Sequence, residues 1–465
     1  MDPRSLQFAA DASGGALLTG SPQAQVLRVS IDSRRVQPGD LFFALKGERF
    51  DGHHFVPEAT RKGAVGVVTT GESSSSELGA CGVVVVENTR AALGKLAAAY
   101  RNQFTLPVIA VAGSNGKTTT KELVASVLKQ KRPTLWSEAS FNNDVGVPMT
   151  LLNLEKTHRA MVVEAGTNHP GELAPLLRMI QPRFGIITSI GREHLEFFGD
   201  LSGVAEEQGA LAELLPSTGK LFLSGDSDWT ATLSARASAS VVRIGLLPGN
   251  DWRVSSARSD KKGVVFQVEG PEEDFTGEYR VNLVGRHQAL NALFAIVLGI
   301  ELGLSRDAIE RGLADCKPAK MRMQLSEHNG VGILDDAYNA NADSMLAALQ
   351  TLQDLPCKGR RVAVLGDMAE LGSHSEAAHE EVGRRAAELG VAQLFAIGTM
   401  APVMARGARD AGLNRVFEFA DVETAAVAVK SFVKTGDVLL VKASRSARLE
   451  RISEGLRRGS NGREN

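Results

Sequence analysis

The chain has 465 residues, of which 43% are hydrophobic and 23% are charged, a composition typical of globular proteins with several hydrophobic cores. At roughly 100 to 200 residues per domain, this length favours two to four domains over a single module. The 52 Lys and Arg residues nearly balance the 54 Asp and Glu residues, for a net charge of -2. Because no global basic field exists, nucleic acid is excluded as an expected partner, and any anionic ligand must bind at a local site.

The sequence also lacks the usual marks of secreted, zinc-binding and membrane proteins. Cys81, Cys316 and Cys357 are far apart and show no CxxC spacing, which argues against a disulfide framework or a zinc site. The first residues show no signal-peptide pattern, and the apolar stretch 289–304 is shorter than the ~20 residues that cross a bilayer. We therefore expect a soluble, cytoplasmic monomer without membrane insertion.

Residues 1–104 are predicted to form a small α/β unit. Short apolar runs separated by turn residues predict strands, at residues 26–31, 41–45, 65–69 and 83–87. A helix is predicted from Thr89 to about Arg101, because its apolar residues recur at helical spacing. Residues 71–79 contain four consecutive serines and predict an exposed loop.

Residues 105–318 are predicted to form a central unit built on a parallel sheet. An apolar strand at 106–112 leads through a glycine-rich turn into a helix at 117–130. Further strands alternate with helical stretches, as in parallel sheets covered on both faces, at residues 160–164, 185–189 and 220–224. Residues 252–284 carry turn signals typical of antiparallel hairpins, and a helix at 288–302 closes the unit.

Residues 319–465 are predicted to form a doubly wound, Rossmann-like α/β domain. Five apolar strands, each followed by a helical pattern, alternate regularly, at residues 331–335, 361–365, 393–397, 415–417 and 437–441. In the first of these helices, at 343–355, the apolar residues fall on one face. The whole chain therefore belongs to the α/β class.

The strongest local motif is Gly113-Ser-Asn-Gly-Lys-Thr-Thr-Thr120, which lies between a buried strand and a helix. Glycines let backbone N–H groups surround phosphates, Lys117 can reach the terminal phosphates, and Thr118 can ligate Mg²⁺. The strict phosphate-loop pattern requires Gly where Val111 stands, so a glycine-rich turn with a chance lysine is the alternative. The strand-turn-helix context favours a nucleotide site.

Three further groups of polar residues follow predicted strands. Glu164 ends one strand and His194 follows another, at the sheet edge where ligands bind in α/β proteins. A capping acid and an ordinary surface or core histidine are the alternatives for these two residues. Residues 335–344 crowd acids and amides at a third strand end, which a turn and a helix cap at Asp343 explain only in part.

Taken together these residues resemble the Mur ligase family. The resemblance covers nearly the whole chain and rests on motifs in family order: residues 32–34, 38–53, 113–119, 141–148, 168–172, 194–196, 285–291, 335–344, 365–372 and 441–446. The family's phosphate loop normally lacks the early glycine, so Val111 is no objection. The resemblance implies three domains: a UDP-muramoyl-binding domain (1–104), an ATP-binding domain (105–318) and a Rossmann-like ligase domain (319–465).

Within the family, the motifs are similar to those of the branch that adds a dipeptide. The resemblance implies an ATP- and Mg²⁺-dependent ligase that joins D-alanyl-D-alanine to UDP-N-acetylmuramoyl-tripeptide through an acyl phosphate. The alternatives are a sister ligase with a different amino acid and a nucleotide-binding regulator without turnover. A diamino-acid-adding sister is disfavoured because the last domain lacks an Asp-Asn-Pro-Arg motif.

The resemblance also assigns roles to the residues that match the family's motifs. The ATP-binding set would be Gly113, Ser114, Asn115, Gly116, Lys117, Thr118, Thr119, Asn291, Arg322 and Asp336. The catalytic set would be Lys117, Glu164, His194 and Arg322, and the metal ligands would be Thr118, Glu164 and His194. The substrate-binding set would be Ser33, Arg34, Lys46, Asp51, His53, Asn142, Asn143, Asn168, Lys442, Ser444 and Arg445.

The sequence departs from the family pattern at two positions. Where Mur ligases commonly have a lysine that becomes carbamylated and supports a second Mg²⁺, this chain has Gln208. Glutamine cannot be carbamylated, so its amide oxygen, Glu206 or Glu207 would have to replace that ligand. The second departure is Ala342, where the motif usually has Pro, and we expect it to affect loop stiffness more than chemistry.

Overall fold

The computed structural model describes residues 1–47, 50–71 and 81–458. The N-terminal part forms a five-stranded sheet in the order β2-β7-β6-β5-β4, parallel except for the β2–β7 pair, with β1 and β3 as a separate ladder. Its strands are β1 Arg4–Ser5, β2 Ala16–Thr19, β3 Gln25–Val26, β4 Arg28–Ser30, β5 Asp40–Phe43, β6 Gly66–Thr69 and β7 Gly82–Val85, and its helices are α1 Leu6–Ser13, α2 Val56–Arg61 and α3 Thr89–Arg101. The predicted loop 71–79 lies outside the described residues apart from Gly71.

The central part forms a nine-stranded sheet. Its strands are β8 Val108–Ala112, β9 Thr134–Trp136, β10 Ala160–Glu164, β11 Phe184–Ile187, β12 Lys220–Ser224, β13 Ser240–Gly245, β14 Trp252–Asp260, β15 Gly263–Glu269 and β16 Gly277–Val281. The order is β16-β15-β14-β13-β12-β11-β8-β10-β9. Strands β8 to β14 pair in parallel with their neighbours in this group, whereas β14, β15 and β16 form antiparallel hairpins. The predicted antiparallel extension of a parallel sheet is therefore confirmed.

Helices cover both faces of this central sheet. They are α4 Lys117–Lys129, α5 Gly146–Leu151, α6 Leu173–Ile180, α7 Leu195–Phe198, α8 Leu201–Leu214, α9 Thr230–Arg236, α10 Gln288–Glu301 and α11 Arg306–Asp315. Helices α4, α10 and α11 pack against one face of the sheet and form a single core with it. The other face shares a core with α3 of the N-terminal part, whose Leu93 and Leu96 are buried there.

The C-terminal part forms a six-stranded sheet in which only β17 is antiparallel to its neighbour. Its strands are β17 Gln324–His328, β18 Val331–Asp335, β19 Arg361–Gly366, β20 Gln393–Ile397, β21 Val416–Phe419 and β22 Val438–Lys442, in the order β17-β18-β22-β19-β20-β21. Its helices are α12 Ala342–Asp354, α13 Ser375–Glu388, α14 Ala401–Asp410, α15 Val422–Phe432 and α16 Glu450–Arg458. Separate cores lie on the two faces, as the predicted doubly wound domain requires.

The three sheets lie within residues 16–85, 108–281 and 324–442. The boundaries near residues 104 and 318 fall between them and stay predictions. Across the described residues, no helix is both long and apolar enough to cross a membrane. All three cysteines are free.

The order of the central sheet determines where a site can form. Strand β8 lies between β10 and β11. After β8 the chain continues to β9 on one side of it, and after β11 it continues to β12 on the other side. In open α/β sheets, ligands bind beyond the carboxyl ends of strands at such a reversal. The phosphate loop follows β8, Glu164 is the last residue of β10, and His194 follows β11, so all three lie at one crevice.

Candidate active site

A cleft of about 450 Å³ lies between the central and C-terminal parts. The central part contributes Ser114, Asn115, Gly116, Lys117, Thr118, Thr119, Ser140, Asn142, Asn143, Glu164, Gly166, Thr167, Asn168, Glu172, Glu193 and His194. The C-terminal part contributes Arg322, Tyr338, Asn339, Ala340, Asn341, Ser344, Ala369, Glu370, Ser444, Arg445 and Ser446. Polar side chains from both parts therefore converge on one space.

The phosphate loop has the backbone shape that its glycines allow. Gly113 has φ 110° and Gly116 has φ 84°, values that residues with a side chain rarely adopt. A Cβ atom on Gly113 would lie 2.5 Å from Thr188 Oγ1, so the residue that follows β11 leaves no room for one. Gly116 directly precedes helix α4. The loop therefore presents the first N–H groups of α4 to the cleft, an arrangement that binds anions.

Lys117 extends along its own loop in this structure. Its Nζ donates to the carbonyl oxygens of Gly113 and Ser114 and to Glu193 Oε2, the last two at 3.1 Å. The side chain is 15% exposed. The predicted phosphate-binding ammonium thus lines the cleft, but an acidic residue that the sequence reasoning overlooked is its partner.

Glu164 and Thr118 form an oxygen-rich corner of the cleft. Glu164 Oε1 accepts hydrogen bonds from Thr118 Oγ1 at 3.2 Å and from Asn142 Nδ2 at 2.8 Å. Glu164 Oε2 is buried without a hydrogen-bond partner and lies 4.0 Å from Lys121 Nζ. A carboxylate with free lone pairs beside a threonine hydroxyl suits Mg²⁺, which prefers oxygen ligands and keeps several waters or phosphate oxygens. These two residues fit the predicted metal.

His194 is positioned by the C-terminal part. It has a left-handed backbone (φ 48°) and immediately precedes α7. Its Nδ1 pairs with a carboxylate oxygen of Glu370, and Glu196 N donates to Glu370 O at 3.0 Å. The hydrogen bond with His194 holds the pKa of Glu370 below its ordinary value. The imidazole therefore joins the two walls of the cleft.

The expected replacements for the missing lysine already have partners in this structure. Gln208 Oε1 accepts from Gly113 N at 2.8 Å, and Gln208 Nε2 donates to Glu193 Oε1 at 3.1 Å, so the amide is already engaged. Glu207 accepts from the backbone N–H groups of Gly171 and Leu173. Glu206 is exposed and pairs with Arg236. Both glutamates have structural partners, and for Glu207 these include Thr167 Oγ1 at 3.2 Å, a residue of the cleft lining. Compensation by them stays a prediction.

Arg322 reaches the cleft from the C-terminal part on an unusual segment of backbone. Its neighbours Met321 and Met323 have φ values of 56° and 47°, a conformation that is strained for residues with a side chain. The guanidinium carbon lies 4.2 Å from the ring centroid of Tyr338, and Arg322 Nε is buried without a partner. The segment thus places the Arg322 cation in the lining of the cleft.

Asp336 and Lys442 form a buried ion pair behind this wall. Lys442 Nζ donates to Asp336 Oδ2 at 2.6 Å and to Asn339 O at 3.0 Å. Burial lowers the pKa of Lys442 from its ordinary value. Neither residue belongs to the cleft lining, unlike Ser444 and Arg445. The assignments of Asp336 to ribose and of Lys442 to the dipeptide stay predictions.

Asn291 also lies behind the cleft lining. Its Oδ1 accepts from Thr120 Oγ1 at 3.3 Å, and its Nδ2 donates to Gln288 Oε1 at 2.8 Å. The same Oδ1 lies 2.5 Å from where a Cβ on Gly116 would be. Asn291 therefore supports the phosphate loop from α10, and its predicted contact with adenine stays a prediction.

The other predicted substrate residues fall into two groups. Asn142, Asn143 and Asn168 line the cleft, as do Ser444 and Arg445 from the C-terminal part, whereas Lys442 lies behind it. The second group belongs to the N-terminal part and does not line the cleft: Ser33, Arg34, Lys46, Asp51 and His53.

Within this second group, several contacts are local. His53 Nδ1 lies 2.5 Å from Asp51 Oδ1, and His53 Nε2 accepts from Thr70 N at 3.1 Å. Lys46 and Asp51 form an isolated antiparallel β-bridge. Residues 48 and 49 of this motif lie outside the described residues, so a joint UDP-binding surface stays a prediction.

Sequence reasoning missed part of the cleft. The residues not singled out individually are Ser140, Gly166, Thr167, Glu172, Glu193, Tyr338, Asn339, Ala340, Asn341, Ser344, Ala369, Glu370 and Ser446. Most of them lie inside the motifs already noted, so a signal existed at the level of the segment. Glu193 directly precedes His194, and only its contact with Lys117 reveals its importance.

Further contacts hold the two walls together. Arg192 donates to Asp343 through its backbone N and its Nε, both at 2.8 Å, and to Glu381 Oε2 through Nη1 at 2.6 Å. Asn341 Nδ2 donates to Asn115 Oδ1 at 3.0 Å, which links the start of α12 to the phosphate loop. The cleft is therefore closed on one side by direct bonds between the central and C-terminal parts.

Three regions of the chain match known domain families. Residues 25–101 match the Mur ligase family catalytic domain, residues 111–299 the Mur ligase middle domain, and residues 321–445 the Mur ligase glutamate ligase domain. Their order along the chain follows the three sheets of the fold.

Full-length relatives and solved structures agree with these matches. The chain is 37% identical to the UDP-N-acetylmuramoyl-tripeptide--D-alanyl-D-alanine ligase of Escherichia coli, with 92% of this chain and 93% of that protein covered. It is similar to crystal structure I of MurF from Acinetobacter baumannii, with a TM-score of 0.89, 32% identity and coverage of 98% and 99%. MurF from Thermotoga maritima, in complex with ADP, gives a TM-score of 0.80 at 28% identity, with coverage of 93% and 97%. This chain therefore belongs to the Mur ligase family.

Proposed function

We propose that this protein is an ATP-dependent ligase that adds D-alanyl-D-alanine to UDP-N-acetylmuramoyl-tripeptide. The observation that carries the proposal is the cleft itself, in which the phosphate loop, the Glu164 carboxylate and the Arg322 guanidinium face one space. Relatives that carry the corresponding name match it along nearly the whole length, and a structural neighbour was solved with ADP. The site roles below belong to this proposal.

The chemistry explains why ATP is needed. A carboxylate repels an incoming amine and has no good leaving group. The terminal carboxylate of the tripeptide attacks the γ-phosphorus of ATP, the bond from that phosphorus to the β-phosphate oxygen breaks, and ADP leaves. The resulting acyl phosphate is attacked by the D-alanyl-D-alanine amine, which loses a proton as the amide forms and phosphate departs.

The chain's own residues stabilise the charge that moves in the first step. The N–H groups at the start of α4 hold the phosphates, and Lys117 and Arg322 approach them from opposite walls. Glu164 and Thr118 would hold Mg²⁺, which supplies further positive charge beside the phosphates. His194 is hydrogen-bonded to Glu370 across the cleft and holds the two walls together around the reacting groups.

Three parts of the chain give the three substrates separate surfaces. The N-terminal part would bind the UDP end through Ser33, Arg34, Lys46, Asp51 and His53. The central part would bind ATP, and Asn142, Asn143 and Asn168 would face the sugar and peptide. The C-terminal part would bring the dipeptide beside Ser444 and Arg445. Closure of the cleft between the central and C-terminal parts would exclude water, which would otherwise hydrolyse the acyl phosphate.

The alternative of a sister ligase has less support. A diaminopimelate-adding ligase structure resembles this chain with a TM-score of 0.53 at 18% identity, a likeness of fold alone. A regulator without turnover would have no need for a buried carboxylate oxygen that faces the phosphate loop without a hydrogen bond. The dipeptide-adding ligase therefore remains the function best supported.

The test uses the full chain, Mg-ATP, UDP-muramoyl-tripeptides and D-alanyl-D-alanine, with mass spectrometry of the products. We expect the UDP-muramoyl-pentapeptide and equimolar phosphate. Lys117→Ala should lower the rate at least about a hundredfold, whereas Lys129→Ala, at the exposed end of the same helix, should retain it. Folded wild-type protein that yields no pentapeptide from any tripeptide would refute the proposal.

A further inference from the structure

The phosphate loop is part of a closed ring of hydrogen bonds. Gly113 N donates to Gln208 Oε1 at 2.8 Å, and Gln208 Nε2 donates to Glu193 Oε1 at 3.1 Å. Glu193 Oε2 accepts from Lys117 Nζ at 3.1 Å, and the same Nζ donates back to Gly113 O. Residues from three separate segments thus define the position of one lysine.

The ring is shielded from water. Gln208 is 1% exposed and Glu193 is 4% exposed, so their bonds form where the effective dielectric constant is low and each bond is strong. Only an amide satisfies both neighbours of residue 208. A carboxylate could not donate to Glu193, and an ammonium could not accept from Gly113 N–H. The side chain of Gln208 is therefore matched to this place.

The three protons of the Lys117 ammonium already have three acceptors. Two are carbonyl oxygens of its own loop, and the third is the Glu193 carboxylate. A phosphate oxygen that binds Lys117 must displace one of them. Glu193 is the charged member of the three, so it both holds the lysine in place and competes with an incoming anion.

We propose that Glu193 and Gln208 are positioning residues that set the nucleotide affinity of this site. Glu193 occupies the place of a phosphate oxygen at Lys117 before nucleotide binds. Gln208 fixes Glu193 and the first N–H of the loop at the same time. The proposal rests on the proposed function, because it requires that the loop binds ATP.

The test measures binding of Mg-ADP to the full chain by isothermal titration calorimetry. Glu193→Gln removes the competing charge and should lower the Kd for ADP about tenfold. Gln208→Glu places a second carboxylate against Glu193 and should raise the Kd about tenfold. The double variant restores an amide–carboxylate pair in reverse order and should return the Kd to within about threefold of wild type. Glu213→Gln, which alters an exposed partner of Arg236 on the same helix, should change nothing.

The outcomes separate this inference from the proposed function. If wild type binds ADP but Glu193→Gln binds it no tighter, or the double variant shows no recovery, the positioning role is refuted while the proposed function stands. Altered thermal midpoints with unchanged ADP affinity would also refute it, because a purely structural ring predicts that result. If wild type fails to bind ADP, both proposals fall.

Discussion

Asp437 shows how one buried carboxylate supports the C-terminal sheet. Its side chain is 3% exposed and accepts hydrogen bonds from Arg360 N at 2.8 Å, Arg360 Nη2 at 2.6 Å and Lys434 N at 2.9 Å. Burial alone would raise the pKa of Asp437, but the hydrogen bonds from Arg360 and Lys434 outweigh it, so the pKa lies below its ordinary value. The ionised form is therefore favoured in the folded state.

We expect Asp437→Asn to lower the free energy of unfolding by about 2 kcal/mol at pH 7, because an amide replaces a charged acceptor beside Arg360. A carboxyl group with a lowered folded pKa adds stability above its ordinary pKa of about 4, and this contribution is lost as the pH falls through the folded value. The difference between wild type and variant should thus shrink below about pH 4. Urea unfolding at pH 7, 5 and 3.5 checks this, and a constant difference would contradict it.

Glu193 and Gln208 illustrate what single residues conceal in a sequence. Lys117, Thr118 and Glu164 could be singled out because their types are expected beside a phosphate loop. Glu193 is an acid beside a histidine, and Gln208 is a polar residue in a helix, so neither side chain signals its partner. Their importance follows from contacts 76 and 95 residues distant along the chain.

The antiparallel extension of the central sheet depends on a glycine in its hairpin. Gly263 begins β15 with φ 132°, and a Cβ there would lie 2.0 Å from the carbonyl oxygen of Val281 on β16. Gly249, with φ 93°, has no atom within 4 Å of a Cβ. Both positions disfavour side chains through their backbone, but only Gly263 is also closed by a neighbouring strand.

We therefore expect Gly263→Ala to lower the free energy of unfolding by at least about 2 kcal/mol, because the strand pair must separate. Gly249→Ala, the matched control, pays only for its backbone conformation and should cost about 1 kcal/mol. Urea unfolding of both variants measures the difference. Equal losses would show that the approach of β16 is unimportant.

Some strands were predicted at their observed limits and others were missed, for a physical reason. Strands β10, β12, β18 and β20 have the predicted bounds, because strands buried on both faces are continuous apolar runs. The sequence pattern does not predict strands β9, β13 and β17. Strand β9 has three residues at an edge of its sheet, and β17 is an edge strand of mixed polarity. Edge strands lack the continuous apolar run because they have a neighbouring strand on one side only and are less completely buried.

At the scale of the whole molecule, the interface between the central and C-terminal parts controls the cleft. Arg192 carries two charged partners across it, Asp343 and Glu381. Arg192 is partly exposed, so its bonds can be exchanged for water when the parts separate. The closed arrangement is thus held by contacts of modest strength, as a cleft that admits large substrates requires.

Arg192→Gln should shift the molecule towards open arrangements. A loss of about 1.4 kcal/mol changes the ratio of open to closed forms about tenfold. We expect a larger radius of gyration in small-angle X-ray scattering without nucleotide, and kcat/KM for ATP about tenfold lower. Arg253→Gln, which breaks an ion pair with Glu269 inside the hairpin, is the control. An unchanged scattering curve for Arg192→Gln would refute the role of this contact.

Patterns along the sequence suffice to predict the α/β class, most buried strands, the antiparallel extension and the phosphate loop. These features are local, because apolar runs, helical spacing and glycines act within a few residues of themselves. Only the tertiary structure decided that His194 meets Glu370, that Arg192 binds Asp343, and that Gln208 holds Gly113. Each of these pairs joins segments at least 95 residues apart. Which distant side chains meet depends on how sheets and helices pack, and no local pattern records that geometry.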